Sequence, residues 1–269
     1  MTGSDPASAA AASQDADLAG LPPRLTVDGA LARLTLRRPR QANRLTVGDL
    51  GVLRELIEHV NADVAVRVLV LAGEGRHFCS GFDLEALASV DAGARFGDLA
   101  DALEAARPIT IARLHGGVHG GAADLALACD FRLGAPACEL FVPAARLGLH
   151  FYGSGLARFV SRLGLATAKR VLLAGRTLDA QALQACGYLD ELLADLPDLD
   201  AAVAHLAADL LAMAPLALLP MKQHLNALSA GRLNPAQLAA DIARARDSHD
   251  LGEGQAAWRA KRRPRFEGR

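Results

Sequence analysis

With 269 residues, 51% of them hydrophobic, and a formal net charge of −1, the chain can bury a large core and has no basic surplus for a nucleic-acid backbone. Its cysteines, Cys79, Cys129, Cys138 and Cys186, show no CxxC or CxxH spacing, so they read as reduced thiols of an intracellular protein rather than a disulfide framework. The apolar run from Leu210 to Met221 is short and broken by Pro215 and Pro220, which argues against a membrane span.

Residues 1–20 are rich in Ala, Ser and Asp and contain no Lys or Arg. They lack the basic start of a signal peptide and the arginines of a transit peptide, so a disordered tail and a cytoplasmic location are expected. Strand patterns at Arg24 to Val27 and Leu31 to Leu36 flank Asp28-Gly29, which predicts a hairpin. Past Arg38-Pro39, Thr46 and Asp49 mark a helix start, and Leu50, Leu53, Leu56, Ile57 and Val60 follow at helical spacing. Strand-like and helix-like runs then alternate. They are Val66 to Ala72, a segment around Leu84, Ile109 to Leu114, Ala122 to Ala128, Phe131 to Leu133 and Gly155 to Leu163, and the alternation predicts an α/β architecture. From Leu199 only helical patterns remain, at Leu199 to Met213, Leu216 to Leu228 and Pro235 to Arg246, so a core over 21–198 and a helical region over 199–269 are expected.

Two glycine-bearing segments carry the chemistry: Phe78 to Leu84 (FCSGFDL) and His115 to Asp130 (HGGVHGGAADLALACD). Each follows a strand pattern and breaks through a Gly turn into a helix-like run, so each can aim a backbone N–H at one point, and two such donors make an oxyanion hole. In these motifs the chain resembles the enoyl-CoA hydratase/isomerase, or crotonase, superfamily, from Arg24 to the end. The resemblance implies a spiral of ββα turns with a C-terminal helical domain that packs into trimers or dimers of trimers. It also implies an acyl-CoA substrate and no permanently bound cofactor, with fatty acid metabolism as the setting. It puts the two oxyanion donors on Phe82 and Gly121. The bland alternative is that Gly81, Gly120 and Gly121 only permit tight turns.

Hydratases of the family use two glutamates. Here the first aligns with Asp124 and the second with Ala144, so ordinary two-glutamate hydration is in doubt. Asp is one methylene shorter than Glu, which sets its carboxylate roughly 1.5 Å further back. One-acid relatives include double-bond isomerases, and altered constellations include decarboxylases and thioester hydrolases. Asp124 alternatively serves only to stabilise a helix dipole. The segment LGLHFYGSG offers His150 and Tyr152 as replacement partners that can donate or relay a proton, against a reading as an aromatic cluster with Phe151.

The resemblance runs the CoA path between the loop after Pro39 and the Phe78 to Leu84 segment. It makes Cys79, Gly81, Leu84 and Gly120 backbone contacts, with Arg44, Arg76 and the basic tail around Lys261 as candidates for the phosphates. His115 and His119 superficially look like metal ligands, but their spacing crosses a Gly-rich turn, so no metal is expected. Cys79 has no nearby base and reads as an apolar filler rather than a nucleophile. Phe78, Phe82, Leu84, Phe96 and Leu147 are candidate linings of an apolar acyl pocket. A non-catalytic protein that binds acyl-CoA, or RNA, on the same fold is the rival reading, its RNA form disfavoured by the near-neutral charge.

Overall fold

The structure, a computed structural model, describes residues 20–83 and 92–269. The expected N-terminal tail up to residue 19 and the candidate Leu84 lie outside the described residues. Strands β1 (Leu21–Asp28) and β2 (Leu31–Arg37) form the expected antiparallel hairpin, with Gly29 at φ 55° in its turn. In β2, Ala32, Leu34 and Leu36 are buried and the residues between them are less so, the period of two that puts one face on a core. A single 3-10 turn leads to helix α1 (Val47–Ala62), whose first turn is closed by a capping box: Thr46 accepts from the Asp49 N–H, and Asp49 accepts from the Thr46 N–H.

The chain continues through β3 (Val68–Gly73), α2 (Ala92–Glu104), β4 (Ile109–Leu114), β5 (Gly117–His119) and α3 (Gly121–Ala128). Then come β6 (Phe131–Gly134), β7 (Glu139–Phe141), α4 (Gly153–Leu172), β8 (Leu178–Asp179), α5 (Ala180–Ala185) and β9 (Glu191–Leu192). Six strands form one sheet in the order β1-β2-β3-β4-β6-β9, parallel from β2 onward, and β5-β7-β8 form a second. Strand β3 is buried along Val68 to Ala72, the continuous apolar run expected of a central parallel strand covered on both faces.

One face of the main sheet packs on α1 to α5 through the large core that includes Leu34, Leu53, Leu69, Leu71, Phe78, Leu99, Leu127 and Phe159. The other face is covered by α6 (Leu196–Leu211), whose Leu199, Val203, Ala207 and Leu210 pack on Val68, Val70, Ile109, Ile111 and Leu133. The boundary expected between residues 198 and 199 therefore falls inside a helix that completes the sheet's second core. Helices α7 (Pro215–Ser229), α8 (Pro235–Arg246) and α9 (His249–Arg259) complete the C-terminal region. The segment beyond Arg246 forms α9 straight through Gly252 and Gly254, started by the Ser248 cap on the Leu251 N–H. Among the described residues no single helix is long and apolar enough to cross a membrane.

Helix α7 is pinned to the sheet by one buried cation. Lys222 Nζ donates to the Pro108 carbonyl and pairs with Asp130 Oδ2, both at 2.7 Å, and Asp130 also accepts from the N–H and hydroxyl of Thr110. Removing one member of a buried pair leaves the other charge uncompensated, so Lys222→Ala is expected to cost about 3 kcal/mol. Urea denaturation is the check; a loss under about 0.5 kcal/mol, the range of an ordinary surface change, would deny this pin its role.

Candidate active site

Three chain segments are laced together beside the end of β3. Asn43, buried and held at φ 54°, donates through Nδ2 to the carbonyls of Glu74 and His77 and accepts from the Arg38 N–H. A short asparagine tolerates this left-handed conformation, and its amide satisfies turn carbonyls that the fold would otherwise bury unpaired. The Phe78 to Asp83 segment then runs between two others. Cys79 bridges in parallel to Val118 of β5, and Phe82 to Leu45, with the Leu45 N–H donating to Gly81 and the Asp83 N–H to Leu45.

At the crossing, Gly81 has φ +90°, and a Cβ there would stand 2.7 Å from the His119 carbonyl oxygen and 3.0 Å from the Gly121 nitrogen. Only glycine permits both that conformation and that approach. The amides of Phe82 and Gly121 are thereby brought side by side. Gly121 is the first residue of α3, where the helix leaves its N–H groups without intrahelical partners. Neither the Phe82 nor the Gly121 N–H has an acceptor among the described residues.

Asp124 is one turn further along α3, on the same side as Gly121, and is fully buried. Its carboxylate is held by three donors. Arg158 of α4 forks onto it, Nε to Oδ1 at 2.9 Å and Nη2 to Oδ2 at 2.7 Å, and the Tyr152 hydroxyl donates to Oδ2 at 2.6 Å. Arg158 Nη1 also reaches Asp101 at 2.7 Å and Glu104 at 3.0 Å on α2, and Glu104 pairs with Arg162. Burial works to lower the Arg158 pKa, but the bonds and charges of Asp124 and Asp101 more than offset it, so Arg158 is held firmly cationic. For Tyr152, burial first and the adjacent Asp124 second push the phenol well above its ordinary value, and it stays protonated.

Of the two candidate partners in the LGLHFYGSG segment, the structure brings Tyr152 to Asp124 and leaves His150 outside. The His150 ring is exposed and contacts the Phe151 carbonyl, because the chain turns into α4 at Tyr152 and carries the preceding residues to the surface. The aromatic cluster also forms: Phe151 stacks on Tyr152 with centroids 4.9 Å apart, so the two readings of this segment coexist. Ala144 packs against the core at the start of a 3-10 turn and offers no acid.

His115 is buried and contacts the Gly75 carbonyl at 2.9 Å, bracing the turn before Phe78; burial first and Arg113 second lower its pKa. His119 stands 3.3 Å from Glu139, and burial lowers its pKa too. Among the described residues no three His, Cys, Asp or Glu side chains are grouped to hold a metal. Arg44 pairs with Asp83 at 3.3 Å, and Arg76 is exposed on the preceding turn, so both flank the Phe78 to Asp83 segment. Lys261 is exposed in a left-handed turn at the end of α9, and among the described residues no bond or ion pair links it to that segment. Leu147 is exposed rather than lining a pocket.

The residues that sequence reasoning missed are Arg158, Asp101 and Glu104. A signal for Arg158 was present: it shares the buried face of α4 with Gly155, Phe159 and Leu163, and an arginine on an apolar face calls for a buried acid.

This architecture is a crotonase-type α/β fold. A crystal structure described as an enoyl-CoA hydratase/carnithine racemase from Magnetospirillum magneticum superposes with a TM-score of 0.85 at 31% identity, covering 92% of this chain and 96% of that one. The sequence profile of the enoyl-CoA hydratase/isomerase family matches residues 26–269, and the chain belongs to that family. It is 31% identical over 245 residues to the 2,3-dehydroadipyl-CoA hydratase of Escherichia coli K12, covering 88% of this chain and 94% of that protein. It is 30% identical over 258 residues to the carnitinyl-CoA dehydratase of Proteus mirabilis, covering 91% and 98%.

The cysteines give a direct check on the packing. Burial pushes the thiols of Cys79, Cys129 and Cys138 up to about 12, whereas Cys186 is partly exposed. Thiolate is the reactive form, so at pH 8 a thiol reagent is expected to label Cys186 alone in the native protein and all four after unfolding. Rapid native labelling of Cys79 would show that the Phe78 to Asp83 segment is not packed as described.

Proposed function

We propose that this chain is an enoyl-CoA isomerase or hydratase that works through a thioester enolate. The observation that carries the reading is the pair of unclaimed N–H groups, Phe82 and Gly121, side by side across Gly81, one helical turn from a buried carboxylate. Donors fixed in advance stabilise the thioester oxygen as it becomes negative, and removing one typically costs on the order of 10²–10³ in rate. No resident cofactor is required: coenzyme A arrives with the substrate. Arg44 and Arg76 are the proposed phosphate contacts, with backbone contacts along Cys79, Gly81 and Gly120, and Lys261 serves only if another subunit brings it there. The exposed apolar residues of α7 to α9, among them Trp258 at 86% exposure, support self-association of the chain, proposed here as a homotrimer or a dimer of trimers.

Asp124 acts through Tyr152. The phenol oxygen accepts a proton from the α or γ carbon of the acyl group while its own proton passes to Asp124 Oδ2, and reversal onto the other end of the allyl unit completes a double-bond shift. Three carboxylates, Asp101, Glu104 and Asp124, share two guanidiniums, Arg158 and Arg162. The cluster thus carries one excess negative charge and becomes neutral on taking that proton, which offsets part of Arg158's preference for the ionised carboxylate.

The test is to incubate the protein with trans-2- and 3-enoyl-CoAs in heavy water and read product masses. Deuterium uptake or double-bond migration is expected, reduced by about 10²-fold or more in Tyr152→Phe and Asp124→Asn, the usual scale of acid–base catalysis. Because the phenol pKa is raised, the wild-type rate is expected to show no alkaline limb from Tyr152 below about pH 10. A water adduct would make the net reaction hydration. Undiminished turnover in both variants would retire the relay. A second reading has one observation in its favour: Arg158 occupies both oxygens of Asp124, which suits a reaction needing only the two donors and a proton source. Release of carbon dioxide from a 2-carboxyacyl-CoA by Asp124→Asn at the wild-type rate would establish acyl-CoA decarboxylation instead.

A further inference from the structure

Phe96 is a buried aromatic ring that packs against Phe82, Gly121 and Tyr152 of the proposed site. It projects from the second turn of α2 and is 3% exposed. Its ring meets Phe82 edge-on with centroids 6.2 Å apart, and its centroid is 6.4 Å from that of Tyr152. A Cβ added to Gly121 would stand 2.7 Å from both Cε1 and Cζ of Phe96, so the ring lies directly against the first residue of α3. The next residue, Gly97, is pressed on Tyr152: a Cβ there would be 2.9 Å from the Tyr152 Cδ2. A Cβ on Gly155 of α4 would likewise be 2.8 Å from Tyr152 Cε2. Two glycines thus set the depth of the Tyr152 ring, and Phe96 packs beside that ring and against the first residue of α3.

We propose that Phe96 is the residue that sets acyl-chain length, its ring closing the slot that leads from the Phe82 and Gly121 amides past Tyr152. The proposal rests on the enolate reading above, which places the thioester oxygen at those amides. A chain leaving the thioester carbon for Tyr152 runs into the Phe96 ring after its first few carbons. Rotation of the ring is opposed by its close packing on Phe82, Gly121 and Tyr152, since core contacts of this density are lost rather than stretched. The preferred substrate is therefore a short acyl group. A smaller side chain at position 96 opens the slot to a longer one. Phe96 takes no part in proton transfer.

The experiment compares wild type, Phe96→Leu and Phe96→Ala, each first shown by circular dichroism and thermal melting to be folded. Dissociation constants for butyryl-, octanoyl- and dodecanoyl-CoA, which carry no double bond to react, are measured by calorimetry, and kcat and KM are measured with the matching enoyl-CoAs. Wild type is expected to favour the short chain. Phe96→Ala is expected to shift the dodecanoyl-to-butyryl affinity ratio by about tenfold or more toward the long chain, the scale on which apolar pockets discriminate, with Phe96→Leu between them. The shift should fall on KM more than on kcat for the short substrate. An unchanged ratio in both folded variants overturns the proposal while leaving the enolate reading intact. A shifted ratio without turnover of any enoyl-CoA supports Phe96 and defeats the isomerase or hydratase reading. Failure of the folded wild type to bind any of the three acyl-CoAs overturns both.

Discussion

The rest of the site depends on the clamp around Asp124. A carboxylate with no solvent contact is tolerable only if its charge is paired and its lone pairs are met, and here one guanidinium fork and one phenol do both. Because Arg158 comes from α4, Tyr152 from the residue that begins α4, and Asp101 and Glu104 from α2, the clamp ties three helices to one point. Loss of one partner in such a network typically costs about 3–5 kcal/mol, a large share of a domain's net stability. The same clamp fixes the position of the phenol, so Tyr152 is held by the interaction that holds the helices.

The side of the site that carries the Phe82 and Gly121 amides has a different origin. It is built from backbone, and its precision comes from close approach. Gly81 against His119 and Gly121, Gly73 against Phe78 and Asn43, and Gly116 against Arg76 all bring main chain to separations that a Cβ would forbid. Asn43 and His115 tie the Glu74 to His77 turn in place, so the amides at Phe82 and Gly121 are oriented before any ligand arrives. Preorganisation of this kind is what makes a backbone donor effective on a developing negative charge, since no reorganisation is needed at the moment of reaction.

Much of this was legible in the residues because the relevant signals are local. The Asp28-Gly29 hairpin, the Thr46/Asp49 capping box and the β4 strand at Ile109 to Leu114 follow from turn chemistry and periodicity, and the structure has all three. Helix α9 was not legible because Gly252 and Gly254 weaken the helical pattern, whereas the Ser248 cap and the return of the tail, with Phe266 over Gly254 and the Glu267 and Gly268 N–H groups on Asp250, stabilise the helix from outside. Likewise the 198/199 boundary followed composition, while the apolar stripe of α6 is spent on the main sheet. The Asp124 clamp was half visible: the aspartate and Tyr152 stand out by motif, but Arg158, 34 residues from Asp124, is joined to it only by tertiary packing. His150 and Tyr152, two residues apart, could not be told apart until the start of α4 fixed which one turns inward.

The central claim is that the Phe82 and Gly121 amides polarise a thioester carbonyl beside the Tyr152–Asp124 pair. Isotope-edited infrared spectroscopy of an acyl-CoA labelled with carbon-13 at the thioester carbonyl tests it most directly, because the stretching frequency reports hydrogen bonding at that oxygen alone. Binding to the wild-type protein is predicted to shift the band clearly to lower frequency than in water. A bound thioester whose carbonyl band stays at its solution frequency, or moves upward, would contradict the account.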